Sequence, residues 1–309
     1  MADETLRGVE LAHRYADVGD GVRLHYVEAG EGPLVVLLHG FPQFWYEWRH
    51  QIPALAGAGF RAVAPDMRGY NLSSKPPGVR TYSAGLLARD VERLILACGE
   101  RTASLVGHDW GAMVAWIAAM RHPKRVERLA ILNVPHPARF LDGLLSPGQL
   151  LRSSYMFFFQ IPRLPEAIIR AGDFALLRYV LRRDPVRRGA FTAEDIERYV
   201  EAMAQPGAIT ATLNYYRSLL RSPREVGTLL ERIEAPVLVI WGERDRSLSR
   251  RLSDPPRLWV PNLLRVERLR EASHWVAEDR PREVNTLLLD FLSKPLPPFR
   301  ADSPKSHVP

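Results

Sequence analysis

A single cysteine, Cys98, occurs among 309 residues, so no disulfide framework can form within the chain. It ends an apolar helical stretch, where a small buried side chain is expected. Lysine is scarce as well: four lysines stand among 42 basic residues, and the rest are arginine. That bias fits GC-rich coding and carries no chemistry. No apolar run approaches the ~18 residues of a membrane-spanning helix. The start, Met1-Ala2-Asp3-Glu4, is acidic and lacks the apolar stretch of a signal peptide. The expectation is a cytoplasmic protein with no membrane span. Charge of one sign is not concentrated either. The net charge is +7, but basic and acidic residues alternate, as in Arg89-Asp90 and Arg280-Pro281-Arg282-Glu283. The densest cluster is Arg182-Arg183 with Arg187-Arg188. A nucleic-acid groove needs its charge on one face with aromatics between. A solvated arginine-rich surface is the reading here, with no nucleic-acid partner.

What is present is the composition of a globular enzyme, 46% apolar and 25% charged. Two alternating runs, Ala12–Val18 and Val22–Glu28, flank Asp20-Gly21 and read as a hairpin. Leu34–Leu38 is continuously apolar, the mark of a strand buried on both faces of a parallel sheet. Further strands are expected at Phe60–Pro65, Ala103–Val106, Arg128–Asn133, Val237–Trp241 and Leu264–Leu269. Helices are expected at Tyr82–Cys98, Ala112–Arg121 and Pro281–Leu292. Pro281 suits the first turn of the last helix, and Asp279 is placed to help cap it. Strands alternating with helices predict a doubly wound α/β sheet. From about Ala138 to Val226 the strand signal vanishes and the pattern is helical. The predicted architecture is therefore an α/β core over 1–137 and 227–294, with a helical lid inserted at 138–226. The Pro-rich tail, 295–309, reads as disordered.

Gly107-His108-Asp109-Trp110-Gly111 sits where a strand passes through a tight turn into a helix. Small residues two before and two after Asp109 permit a strained elbow that exposes the central side chain. That central residue is ordinarily serine. A carboxylate there is poorly suited to acyl transfer. Toward an sp³ carbon bearing a leaving group it is a sound nucleophile, and the product is an ester on the enzyme. The adjoining helix N-terminus favours its ionised form. The plainer alternative is a helix-capping aspartate.

An ester must be hydrolysed, so an acid and a histidine should follow downstream in that order. Asp245, just beyond Val239-Ile240-Trp241-Gly242, is the candidate acid, with Glu243 as its rival. His274, between the last strand and the closing helix, is the candidate base. His13, His25, His50 and His122 lack such contexts, while His39 and His108 flank the site. Ester hydrolysis develops an oxyanion on Asp109 itself. The backbone N–H groups of Phe41 and Trp110 are the candidates to receive it.

His39-Gly40-Phe41-Pro42, Gly107–Gly111, Asp245 and His274 together resemble the epoxide hydrolases of the α/β-hydrolase superfamily. The likeness runs from about Tyr15 to Leu292. It extends to Asp66-Met67-Arg68-Gly69-Tyr70 with Ser73. Asn71 replaces a common glycine there, and asparagine tolerates the left-handed backbone. The resemblance implies two lid tyrosines that hydrogen-bond and protonate the epoxide oxygen. Tyr155 matches the first, ahead of Phe159-Gln160-Ile161-Pro162. Tyr216 matches the second, in Asn214-Tyr215-Tyr216-Arg217, with Tyr215 one place off. The alternative is that these tyrosines merely pack the lid.

The implied activity is hydrolysis of a small hydrophobic epoxide to a vicinal diol, without metal or organic cofactor, by a monomer or homodimer. Phe41, Trp110, Phe159 and Trp275 are the candidate pocket residues. Haloalkane dehalogenases share the aspartate and the following tryptophan. They usually carry asparagine after His-Gly, where this chain has Phe41. Fluoroacetate-type dehalogenases more often place arginine directly after the nucleophile. A catalytically silent binding module would usually have lost one of the triad residues.

Overall fold

The computed structural model describes residues 4–144, 146–222 and 227–295. Its strands are β1 (Glu4–Leu6), β2 (Val9–Asp17), β3 (Arg23–Ala29), β4 (Leu34–Leu38), β5 (Arg61–Pro65), β6 (Ala103–His108), β7 (Val126–Leu132), β8 (Val237–Gly242) and β9 (Leu263–Leu269). They form one sheet in the order β1-β2-β3-β5-β4-β6-β7-β8-β9. The pairings β1–β2, β2–β3 and β3–β5 are antiparallel, and all those from β5 through β9 are parallel. The expected hairpin is β2–β3, and Asp20 and Gly21 both take the positive φ that its tight turn requires. The alternating pattern does not reveal β1.

β4 shows why its sequence is apolar throughout. Leu34, Val36 and Leu38 enter one core, while Val35 and Leu37 enter the other, as a period of two demands. The first core is closed by α2 (Ala84–Ala97) and α3 (Trp110–Arg121). α1 (Gln51–Gly57) closes the second through Ile52 and Leu55. Cys98, at the end of α2, is buried as expected.

From Pro137 to Arg221 the ordered elements are helices: α4 (Pro137–Leu144), α5 (Pro147–Arg152), α6 (Ser154–Phe158), α7 (Leu164–Arg183), α8 (Ala193–Ala204) and α9 (Ala208–Arg221). α7 is broken at Ala171–Phe174, where Gly172, Asp173 and Phe174 have positive φ. α8 begins with a full capping box between Thr192 and Asp195. The chain ends its described part with α10 (Val276–Asp279) and α11 (Pro281–Ser293). Positions 296–309 of the tail expected to be disordered lie outside the described residues.

One expectation fails here. Asp279 does not cap α11, whose N-cap is Arg280. The Asp279 carboxylate instead accepts the N–H and O–H of Ser273 (2.7 and 2.6 Å) and the N–H of Arg187 (2.7 Å). A buried carboxylate takes the strongest donors in reach, and here these lie beside His274 rather than at the helix start.

Candidate active site

Consecutive crossovers run to opposite sides of β4: β5 lies on one side and β6 on the other. Such a switch point leaves a crevice beyond the carboxyl ends of the strands. Phe41 follows β4, Asp109 follows β6, Asp245 follows β8 and His274 follows β9. The four therefore meet at one edge although they span most of the chain.

Asp109 occupies the elbow at φ 48°, ψ −123°, a strained setting for a residue with a Cβ. The turn is possible because its flanks are bare. A Cβ on Gly111 would lie 2.0 Å from the Leu38 carbonyl oxygen, and one on Gly107 2.5 Å from that of Gly111. The side chain makes no capping hydrogen bond to α3, so the helix-capping alternative does not describe it. It faces the candidate machinery. Oδ1 accepts the Phe41 N–H at 2.7 Å, and Oδ2 lies 3.4 Å from His274 Nε2. Trp110 is the first residue of α3, and its N–H belongs to the open end of the helix.

His274 Nδ1 lies 2.8 Å from Asp245 Oδ2. Asp245 Oδ1 accepts the N–H groups of Ser247 (2.7 Å) and Leu248 (2.9 Å). Glu243 turns away and pairs with Arg250. Sequence reasoning missed one partner. Asn133, at the end of β7 with φ 46°, donates to Asp245 Oδ2 (2.8 Å) and to the Ser273 carbonyl (3.3 Å), while its oxygen accepts Gly242 N–H (2.8 Å). The available signal was an asparagine closing a buried strand, since a buried amide must find partners.

The site's charges are mutually dependent. Burial would raise the Asp109 carboxyl. The His274 hydrogen bond and charge, the nearby His108 and the Phe41 N–H outweigh it and hold Asp109 below the ordinary carboxylate range. Asp245 is likewise held low, its burial outweighed by His274, Asn133 and Leu248 N–H. Burial would lower His274, but Asp245 and Asp109 raise it well above its ordinary value. Both flanking carboxylates thus favour the protonated imidazole in the resting site.

Tyr155, on α6, and Tyr216, on α9, stand over Asp109 with ring centroids 5.8 Å apart. Burial and the Asp109 charge push both phenols well above their ordinary values, so they remain protonated. Tyr215 is committed elsewhere: its hydroxyl donates to the Arg68 carbonyl at 2.6 Å. The residues around the tyrosines join the two segments. Gln160 donates to the Tyr216 carbonyl (3.2 Å), and Arg217 donates to the carbonyls of Phe159 (2.9 Å) and Ile161 (3.2 Å) while pairing with Glu166 (2.7 Å).

A cavity of about 280 Å³ opens beside this group. Phe41, Phe158, Phe159, Leu177, Val180 and Trp275 give it an apolar wall, with Asp184 and Ser247 among the polar exceptions. Phe157 is 50% exposed and does not line it. A second cavity of about 40 Å³ lies against Trp110, Met113, Phe140 and Met156. Asp109, Tyr155 and Tyr216 border both. Of the four candidate pocket residues, Phe41, Phe159 and Trp275 thus face the larger space and Trp110 the smaller. Among the described residues no cluster of side chains is arranged to hold a metal ion.

A family model described as the alpha/beta hydrolase fold matches residues 33–281. This chain belongs to the α/β-hydrolase family. The α/β-hydrolase YfhM of Bacillus subtilis (strain 168) is 44% identical over 88% of this chain and 95% of its own length. Epoxide hydrolase 4 of Mus musculus is 38% identical over 91% of this chain and 80% of its own. The crystal structure of Bacillus megaterium epoxide hydrolase in complex with an inhibitor superposes with a TM-score of 0.84. Its identity is 36%, over 91% of this chain and all of that one. Within the α/β-hydrolase family the chain therefore falls in the epoxide-hydrolase branch.

Proposed function

We propose that the protein hydrolyses small hydrophobic epoxides to vicinal diols through a covalent ester on Asp109. The observation that carries this reading is the pair Tyr155 and Tyr216 facing a carboxylate nucleophile across an apolar cavity. An epoxide releases a strongly basic alkoxide that stays tethered to the product. A phenol of ordinary pKa ~10 can protonate it.

Asp109 attacks an epoxide carbon, the C–O bond breaks, and a tyrosine proton passes to the oxygen. The attack converts the Asp109 anion into a neutral ester. That removes one cause of the raised tyrosine pKa values at the moment the alkoxide needs a proton. It also removes one of the two carboxylates that hold the proton on His274. His274 then releases that proton, the tyrosine regains one, and the neutral imidazole can act as base. Oriented by Asp245, His274 takes a proton from water, and the hydroxide attacks the Asp109 ester carbon. Phe41 and Trp110 N–H groups receive the oxyanion. Its collapse frees the diol and restores Asp109.

The helical segment acts as the lid that carries the two tyrosines. No helix among the described residues is long and apolar enough to cross a membrane. With a single buried cysteine, the reading extends to a cytoplasmic monomer or homodimer acting on a small molecule, without a nucleic-acid partner. A single-turnover reaction in ¹⁸O-water with enzyme in excess tests the mechanism. The first diol should carry no label, because its new oxygen comes from Asp109. Label in that first diol would mean direct attack by water and would overturn the ester.

A further inference from the structure

The chain has 42 lysines and arginines, yet none of them is among the described residues that line the cavity of about 280 Å³. His274 is the basic side chain of that wall, and it is already shared between Asp109 (3.4 Å) and Asp245 (2.8 Å). Two acidic side chains line the cavity, Asp109 and Asp184. The ester mechanism uses the first and gives the second no task.

Asp184 is the C-cap residue of α7, in the lid. Its Oδ2 accepts the Trp275 indole N–H at 2.8 Å. The Trp275 ring lies 5.7 Å from the His274 ring, centroid to centroid, at 87°. The carboxylate thus stands one ring beyond the catalytic histidine. Trp275 is buried, and a buried indole needs an acceptor. An amide oxygen would serve that purpose equally. A carboxylate in a largely apolar wall adds a field that discriminates between charges. The cation nearest to it is Arg246, 3.5 Å from Oδ1, whose side chain is 76% exposed and does not line the cavity. Arg246 therefore meets Asp184 from the solvent side, where water weakens the pair. A substituent that donates a hydrogen bond can use Asp184 or Ser247. One that ends in a carboxylate meets a like charge and no lysine or arginine.

We propose that Asp184 is a specificity-determining residue: it makes the site select epoxides with an uncharged, hydrogen-bond-donating substituent and reject those whose substituent ends in a carboxylate. This rests on the epoxide reading above and narrows its substrate class, setting aside the epoxides of free carboxylic acids. The plainer role, a latch that ties Trp275 to the lid, would affect all substrates alike. The cavity is roughly twice the size of the ~150 Å³ apolar void that accepts benzene, so a substituent of roughly ten heavy atoms fills it.

Two probes test this on the intact enzyme. Both are terminal epoxides on the same alkyl chain, one ending in a primary carboxamide and the other in a carboxylate, compared by kcat/KM at fixed ionic strength. The wild type should favour the carboxamide by about tenfold or more, chiefly through KM, because like charges meet at a site that water only partly screens. Asp184→Asn keeps an oxygen for the Trp275 N–H and removes the charge, so the ratio should fall by about fivefold or more. Arg246→Ala, at the surface, should raise the ratio by about two- to threefold as Asp184 loses its counter-charge. Equal kcat/KM for the two probes in the wild type overturns the proposal. A ratio unmoved by Asp184→Asn leaves only the latch. A ratio that falls in Arg246→Ala means that the arginine recruits the carboxylate, and it contradicts the proposal as well. Should Asp184→Asn fail to fold, the wild-type and Arg246→Ala ratios decide. Calorimetric binding of the two corresponding diols reads the same selection without turnover. Diols that are discriminated while neither epoxide is consumed would refute the activity and leave the selection standing. Consumption of both epoxides with equal efficiency would refute the selection alone.

Discussion

Asn133→Ala should be among the most costly single substitutions outside the reacting groups. The amide makes one bond to the Asp245 carboxylate and two to backbone groups, all buried. A hydrogen bond to a charged group contributes about 1.5–3 kcal/mol and a neutral one about 0.5–1.5. Losing all three costs about 3–5 kcal/mol. Asn133 also holds φ 46°, where alanine adds about 1 kcal/mol of backbone strain. Asn133→Gly is the control, because it loses the same bonds without that strain and should be the milder of the two. Urea denaturation of the three proteins measures the differences. Turnover should fall on the order of tenfold in both variants, since Asp245 keeps its Ser247 and Leu248 bonds but loses a partner on the oxygen that orients His274. A cost below about 1 kcal/mol for Asn133→Ala would refute the reasoning.

Tyr155→Phe and Tyr216→Phe should each lower the alkylation rate by about 10²-fold, read by stopped-flow under single turnover, with the double variant worse. Tyr215→Phe should leave alkylation nearly intact and cost about 1 kcal/mol of stability through the lost Arg68 bond, measurable by thermal denaturation. Alkylation should persist to pH values below the ordinary carboxylate range, because Asp109 is held low and must be ionised to attack. Ester hydrolysis should instead fall toward acid as His274 is protonated, at a pH below the resting His274 value because the ester carries no charge. Folding stability should follow the same groups. The raised His274 contributes stability that is fully present below about pH 6.5 and is lost as pH rises through its folded value. Asp245, held low, contributes above about pH 4 and loses that as pH falls through its folded value, which urea midpoints across pH would show.

Much of this was readable from residue patterns because the information is local. Five consecutive apolar residues announce β4, and the glycines around Asp109 announce the elbow. β1 has only three residues, too few for any period to register. Asp279 misled because capping and loop-pinning aspartates look alike in sequence, and the choice depends on Ser273 and Arg187 being nearby in space. Asn133 was overlooked because its partners lie 109 to 140 residues away. The split of Phe157 from Phe158 and Phe159 needed the structure too, since α6 is five residues long and shows no clear face. The contexts that singled out Tyr155 and Tyr216 have a physical basis: Gln160 and Arg217 lock the two segments together.

The central claim is a covalent ester on Asp109 formed by opening an epoxide. His274→Gln, incubated with a hydrophobic epoxide or a haloalkane and examined by intact mass and peptide mapping, tests it most directly. The account predicts an adduct on Asp109 equal to the whole mass of the epoxide. An adduct from the haloalkane alone, with halide lost, would contradict the epoxide reading, and no adduct on Asp109 from either would contradict the nucleophile itself.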